Sequence, residues 1–281
     1  MSIRMIEDKS EVILSILMPV YNCVNTIERA IRSYLKYEMP NTELVIVDGA
    51  STDGTVDIIN KYSEKISKFI SEKDNGVSFA VNKAIDLAEG EWILILAADD
   101  ILINNPEKIL KKFNNKELDI ICGNTLVDNK DSTYYKWITG DNLNNIEYNL
   151  TVSTPATFFR KSIVEEVGKY DTSYKIAADR DLWIKLKRYG ARYYSIDYFI
   201  ELFSVGGLSS SSNTINILNE ENNIIDKKYC NRKRLQILKS KKKIKDKIKK
   251  MIPTKIYQIY KKHDKKRLQY KDILIYIDEV K

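Results

Sequence analysis

The sequence predicts an α/β protein with a mainly parallel sheet, an α+β second half and a basic helical tail. Three observations carry that expectation. Short apolar runs alternate with amphipathic stretches through residues 12–100, the polar residues that end those runs fall at their carboxyl ends, and the charge divides sharply near residue 226.

At 281 residues and 43% hydrophobic content, the chain is long enough to bury a core for one large domain, or one domain with an appendage. Cys23, Cys122 and Cys230 lie far apart, form no CxxC pair and are odd in number, so neither a disulfide framework nor a structural zinc site is indicated. No basic start with an apolar h-region opens the sequence, and no apolar run approaches a membrane span. The expectation is a cytoplasmic chain, neither exported nor threaded through a bilayer. Its formal charge of +7 conceals a division: residues 1–226 carry 25 Lys+Arg against 34 Asp+Glu, and residues 227–281 carry 21 against 5. Any nucleic-acid argument from charge therefore concerns the tail and not the body.

The elements follow in order. "VILSILMPVYN" (12–22) is a strand stopped by Pro19 and Asn22, and "IERAIRSYL" (27–35) places Ile27, Ala30, Ile31, Tyr34 and Leu35 on one helical face. "TELVIVDGASTDGT" (42–55) repeats the plan, with Asp53 placed to cap a helix whose Val56, Ile59, Tyr62 and Ile66 face inward. A third unit runs from "KFISEKDNG" (68–76) into a helix over Val77–Ala88, with Gly90 as its stop. "EWILILAADD" (91–100) is the fourth strand. Central strands covered by helices on both faces read as continuous apolar runs, and ligands bind beyond their carboxyl ends. Further on, "NNPEKILKKF" (104–113) predicts a short helix, "LDIICGNTLV" (118–127) a strand, and "TYYKWI" (133–138) an antiparallel one. "STPATFFRKSIVEEVGKYD" (153–171) gives a strand, a helix and a turn, and "AADRDLWIKLKRYG" (177–190) a helix entered through acids.

Tyr21 and Asn22, Asp48, and the pair Asp99–Asp100 thus arrive from three segments at one sheet edge. Taken alone, Asp99 starts a turn and Asp100 caps the next segment. Taken together, adjacent carboxylates repel and raise one another's pKa unless a cation offsets them. Magnesium or manganese is commonly held by one or two carboxylates plus substrate phosphate oxygens. The pair therefore suits a diphosphate-bound metal.

In order, "SILMPVYN", "ELVIVDGASTDGT", "SEKDNGVSFAVNKAIDLAEGEWILILAADD" and "ATFFRKSIVEEVGKYDTSYKIAADRDLWIKL" resemble the family-2 glycosyltransferases, inverting enzymes of the GT-A fold, over about residues 12–210. The resemblance implies a GT-A domain over 1–225, with a nucleotide-sugar half at about 10–103, an acceptor half at about 104–225, and a basic extension over 226–281. It implies that Pro19, Tyr21 and Asp48 hold the nucleobase, and that Asp74 and Asn82 lie near the nucleotide. Asp99 would meet the ribose or metal, and Asp100 would ligate Mn2+ or Mg2+ directly. Ala97 stands where many relatives carry an acid or Asn. Asp179 takes the catalytic-base position and Asp181 the supporting one, with Ala178 in place of the usual glutamate. The chemistry agrees: an inverting transfer needs a carboxylate to accept the proton of the attacking hydroxyl. The only histidine, His263, lies in the tail.

The implied donor is a nucleotide diphosphate-sugar, a UDP-sugar first, with hexosyl or N-acetylhexosaminyl transfer to a glycan or lipid-linked acceptor in polysaccharide biosynthesis. An inactive GT-A scaffold subunit is the alternative. A nucleotidyltransferase would want a glycine-rich phosphate loop that "PVYNCVNT" lacks. "SVGGLSSSS" (204–212) reads as a lid or a linker, and Tyr134, Tyr135, Trp137, Phe158 and Trp183 as sugar-stacking or core aromatics. In the tail, Leu235, Leu238, Ile244, Ile248, Met251 and Ile252 recur at helical intervals among lysines, followed by Ile256, Ile259 and Tyr260 beyond Pro253. This describes a helix lying on the anionic inner face of the membrane, or one packing its stripe on the body. Nucleic acid is not an expected partner, since no recognition module accompanies the charge.

Overall fold

The computed structural model describes residues 12–128, 133–137, 146–148, 152–204, 212–251 and 267–269. Four strands form a parallel half: β1 (Leu14–Val20), β2 (Thr42–Asp48), β3 (Lys68–Ser71) and β4 (Trp92–Ile95), in spatial order β3-β2-β1-β4. The sheet then turns antiparallel. β8 (Thr157–Arg160) pairs with β4 and with β6 (Ile120–Asp128), and β6 pairs with β7 (Thr133–Trp137), which pairs with β10 (Arg267–Gln269). β9 (Tyr193–Ser204) runs parallel to β6 and antiparallel to the short β5 (Ile101–Leu102).

Alternation along the strands explains why both faces are apolar. Leu14, Ile16 and Met18 face the cluster that includes Ile27, Ala30 and Ile31 of α1 (Ile27–Leu35), Ile59 of α2 (Thr55–Asn60), and Ile109 and Leu110 of α4 (Pro106–Phe113). Leu17, Val45, Val47 and Ile93 face Val81, Ala84 and Ile85 of α3 (Val77–Leu87), Ile163 and Val164 of α5 (Lys161–Glu166), and Leu182 and Trp183 of α6 (Ala178–Tyr189). Phe158, in the first of these clusters, and Trp183, in the second, are fully buried. Trp183 lies 5.3 Å from the Phe159 ring centroid and donates to Thr154 Oγ1 at 3.1 Å, so neither aromatic is placed to stack on a ligand.

The expected elements are largely present, with three differences. α2 stops at Asn60 and a 3-10 turn over Ser63–Lys65 follows, so Ile66 lies beyond the helix in extended backbone. Asp53 is not the N-cap of α2, a place that Gly54 takes in a left-handed conformation (φ 97°); it accepts from Thr55 N at 3.0 Å and from Val24 N at 3.0 Å, tying the β1 and β2 loops together. Gly90 is not a left-handed stop: a Cβ there would meet Ser15 N at 2.6 Å, so the residue is small because two backbones touch. α7 (Ser212–Tyr229) and α8 (Arg232–Met251) complete the described helices, and residue 226 falls inside α7. The three cysteines are free, and no described helix is long and apolar enough to cross a membrane. Residues 205–211, Ile252, Pro253, Ile256, Ile259, Tyr260 and the side chains of Tyr134, Tyr135, Trp137, Ile244, Ile248 and Met251 lie outside what is described.

Candidate active site

The carboxyl edge of the parallel half is held together by its own loops. Asn22 adopts a left-handed conformation (φ 51°), its N–H donates to Ser51 Oγ at 2.7 Å, and its Oδ1 accepts from Thr52 N at 3.0 Å. Asp48, at the last position of β2 and level with Val20, is fully buried. Its carboxylate accepts from Ser51 N at 2.9 Å, from Ser71 Oγ at 2.6 Å, and from Ser51 Oγ. Pro19 is half-buried in β1, Tyr21 is 59% exposed just beyond it, and Asp74 lies against Gly49 while accepting from Gly76 N at 2.9 Å. A Cβ on Gly49 would sit 3.2 Å from the Asp74 carboxylate oxygens, so the glycine lets the β2 and β3 loops close up. Pro19, Tyr21, Asp48 and Asp74 therefore share one edge.

The turn after β4 brings the second group. Asp99 is half-buried, and its carbonyl accepts from Arg29 at 3.0 Å. Asp100 is 1% exposed: Oδ1 accepts from Ser204 N at 3.0 Å and Oδ2 has no partner among the described residues. Pairing of β5 with β9 sets Glu201 beside this turn, fully buried, with Thr125 Oγ1 3.3 Å from Oε1 and no partner for Oε2. Burial first, and then the Asp99 charge, push the Asp100 carboxyl up to about 8. Burial and the neighbouring Asp100 push Glu201 well above the usual carboxylate range.

Three carboxyls are thus crowded together with two buried acceptor atoms that lack donors. A cation satisfies both the crowding and the orphaned Asp100 Oδ2. No group of three or more metal-ligating side chains occurs among the described residues, so a metal here would draw on Asp99 and Asp100 and take its other ligands from phosphate and water. Glu201 is absent from the expected site. Its one trace in the sequence is a lone acid inside the apolar run "YFIELF" (198–203).

α6 brings the third group. Burial raises the Asp179 carboxyl to about 6, while the Tyr170 hydroxyl beside it acts in the lowering direction. The Tyr170 backbone is gripped at both ends by Asn82 of α3, which donates to its carbonyl at 2.8 Å and accepts from its N–H at 3.0 Å. Asn82 therefore fixes the wall beside Asp179 with its whole amide. Asp181, two residues on and so on the other side of the helix, is fully buried and accepts from Tyr229 Oη at 2.8 Å and Lys228 Nζ at 3.1 Å, both on α7. It anchors α6 to α7. A depression of about 580 Å³ lined by Ala191, Arg192, Tyr193, Tyr194 and Ser195 opens at the opposite end of β9 from Glu201 and contains none of these acids.

The family model described as glycosyl transferase family 2 matches residues 15–169. An uncharacterized glycosyltransferase of Rickettsia typhi is 30% identical over 207 residues, covering 67% of this chain and 63% of that protein. A PGL/p-HBAD biosynthesis glycosyltransferase of Mycobacterium tuberculosis is 29% identical over 177 residues, covering 61% of this chain and 68% of that one. The chain thus spans less than two thirds of the length of its Rickettsia relative. Among solved structures, TarS 1–349 of S. aureus in complex with UDP aligns with a TM-score of 0.56 and 22% identity, over 74% of this chain and 65% of that one. A mannosyltransferase from Pyrobaculum calidifontis in complex with GDP-Man and Mn2+ aligns with a TM-score of 0.54 and 19% identity, over 69% and 57%. At these identities the structural likeness shows the fold.

Proposed function

The chain belongs to the glycosyl transferase family 2, and from that premise we propose that it is a metal-dependent inverting transferase. It moves a hexosyl or N-acetylhexosaminyl group from a nucleotide diphosphate-sugar, a UDP-sugar first, to a glycan or lipid-linked acceptor in polysaccharide biosynthesis. The observation that carries the proposal is the buried, donorless Asp100 Oδ2 among three acids at the carboxyl edge of a nucleotide-binding type of sheet.

In this reading Pro19, Tyr21, Asp48 and Asp74 shape the base and ribose end, with Asp48 and Asp74 also holding the loops in place. Asp99 and Asp100 would hold Mn2+ or Mg2+, which when bound neutralises charge on the departing diphosphate. The Asp179 carboxylate takes the proton from the acceptor hydroxyl as that oxygen attacks the anomeric carbon from the face opposite the leaving group. Asn82 and Tyr170 keep Asp179 in a setting where its carboxyl titrates close to neutrality, ionised enough to act and basic enough to accept a proton.

The test is a thermal-unfolding screen of UDP- and GDP-sugars with and without manganese. At about 100 times its Kd a true donor stabilises the fold by about 2.7 kcal/mol, which for a chain of this size raises Tm by roughly 5–10 °C. The rise should need manganese and vanish in Asp100→Ala. A panel with no manganese-dependent shift would refute the donor assignment.

The tail supports a membrane-facing role. α8 is strongly basic, and Ile237 and Leu238 on it are 56% and 37% exposed. Each Lys or Arg near an anionic leaflet contributes about 1 kcal/mol of attraction, and a lipid-linked acceptor would be met at the inner face. Lys228 and Tyr229 hold Asp181, so in this reading α7 goes with the catalytic body. A chain stopped after Asn231 is expected to lose binding to anionic phospholipid vesicles in sedimentation while keeping its sugar-nucleotide hydrolysis. Undiminished sedimentation would show that the tail packs elsewhere.

A further inference from the structure

A helix leaves its first N–H groups without intrahelical partners, and the residue before the helix normally supplies an acceptor from its own side chain. α6 has no such residue. Its N-cap is Ala177, no side chain of that segment caps it, and the sequence "KIAAD" (175–179) offers no Ser, Thr or Asn there. The N-cap N–H, together with the two before it, is taken instead by a residue 44 positions later. Glu221, on α7 and only 7% exposed, accepts from Lys175 N at 2.6 Å, from Ile176 N at 2.9 Å and from Ala177 N at 2.8 Å.

The same flank of α7 continues the grip along α6. Arg180 donates to Asn222 Oδ1 at 2.7 Å and to Asp226 Oδ1 at 2.8 Å, and Asp181 receives Lys228 and Tyr229 one turn further. Asp179 is the residue between these anchored neighbours. Asp179 lies two residues beyond the last of the three N–H groups that Glu221 holds, with Tyr170 beside its carboxyl. The direction of the Asp179 side chain is then set by α7 on one flank and by the Asn82–Tyr170 clasp on the other.

We infer that Glu221 is a positioning residue of the active site, whose carboxylate clamps the N-cap N–H of α6 and the two backbone N–H groups just before it, and thereby aims Asp179 at the acceptor. The inference rests on Asp179 being the base, and it makes α7 part of the catalytic body. A charged acceptor facing three N–H groups is about twice as strong per bond as a neutral one, so the effect is local and large. The donor edge, built by β1, β2, β3 and β4, lies outside it.

The experiment pairs hydrogen–deuterium exchange with hydrolysis kinetics on the full chain, using whichever sugar nucleotide wild type turns over. In Glu221→Ala, exchange in peptides covering 174–182 should rise by roughly tenfold or more, kcat should fall by a similar factor, and KM for the donor should stay within about twofold, as loss of three charge-assisted bonds at one helix end implies. Glu221→Gln, which keeps the shape and one acceptor oxygen, should recover part of kcat. Ile225→Ala, which removes a fully buried α7 side chain of the core, serves as the packing control, measured at the same interval below its own Tm. It should not separate kcat from KM. Unchanged exchange at 174–182, a donor KM that rises with kcat intact, or the same kcat loss in Ile225→Ala would overturn the inference. A wild-type chain that turns over no sugar nucleotide, but shows the local rise in exchange on Glu221→Ala, would uphold the clamp and count against the transferase reading.

Discussion

Asp179→Asn lowers kcat by about 10²–10⁴-fold, the usual contribution of a general base, and leaves donor affinity within about twofold. The replacement has the same shape, so it keeps the contact with Tyr170 and the packing around the start of α6, and what is lost is the ability to accept a proton. The wild-type profile gives a second signature. Burial holds the carboxyl up to about 6, so the base is protonated and idle below that pH and ionised above it, and kcat/KM should climb through a limb centred near pH 6. In the variant that limb disappears. The same shift acts on stability with a definite sign. The folded state keeps this proton to a higher pH than the unfolded chain does, so the contribution is present at low pH and is lost as pH rises through about 6. Stopped assays of diphosphate release across pH 5–8 check the kinetic limb, and Tm measured over the same range checks the stability sign. A limb that persists in Asp179→Asn would assign the proton to another group.

Asp100→Asn is expected to abolish the manganese-dependent donor shift and to make the metal-free chain more stable. The amide oxygen of the replacement can still accept from Ser204 N, while the buried charge facing Asp99 and Glu201 is gone. Each unit of pKa displacement corresponds to about 1.4 kcal/mol, so the displacement to about 8 is worth on the order of a few kcal/mol. Because the displacement is upward, wild-type stability without metal falls as pH rises from the ordinary carboxylate range through about 8. The Tm advantage of the variant in chelator should therefore be larger at roughly pH 8.5 than at roughly pH 5. A variant less stable than wild type at both values would show that Asp100 acts as a structural anion. A gain in stability together with loss of donor response is the pattern of a site held in strain for its ligand.

The parallel half is legible in the sequence because local and long-range signals agree there. β1, β2 and β4 are strands buried on both faces, β3 is the partly exposed edge strand, and the polar residues after them lie at the carboxyl edge, so spacing and motif are enough to place Asp48, Asp74, Asp99 and Asp100. Asp179 is legible through the pattern around "DLW" and not through its own neighbourhood. Glu201 and Glu221 are not. Glu201 is a lone acid in the apolar run 198–203, and only the pairing of β9 with β5 shows which turn it faces. Glu221 sits in "NEENN" (219–223), which reads as a solvated helix face, and its partners are main-chain atoms that leave no trace in side-chain spacing. The motif singles out Asn82, but its partner Tyr170, 88 residues away, is visible only once the chain is folded.

The place of Glu221 in the chain bears on how the protein is made. Synthesis runs from the amino end and early segments fold first, so the edge that holds the nucleotide can form while α7 is still inside the ribosome. The helix carrying Asp179 emerges before the residue proposed to lock it, so a released chain ending at residue 211 is expected to form the donor edge without the clamp on α6. On the proposed reading, the base is aimed only after the donor edge has formed, in the order in which the chain is made.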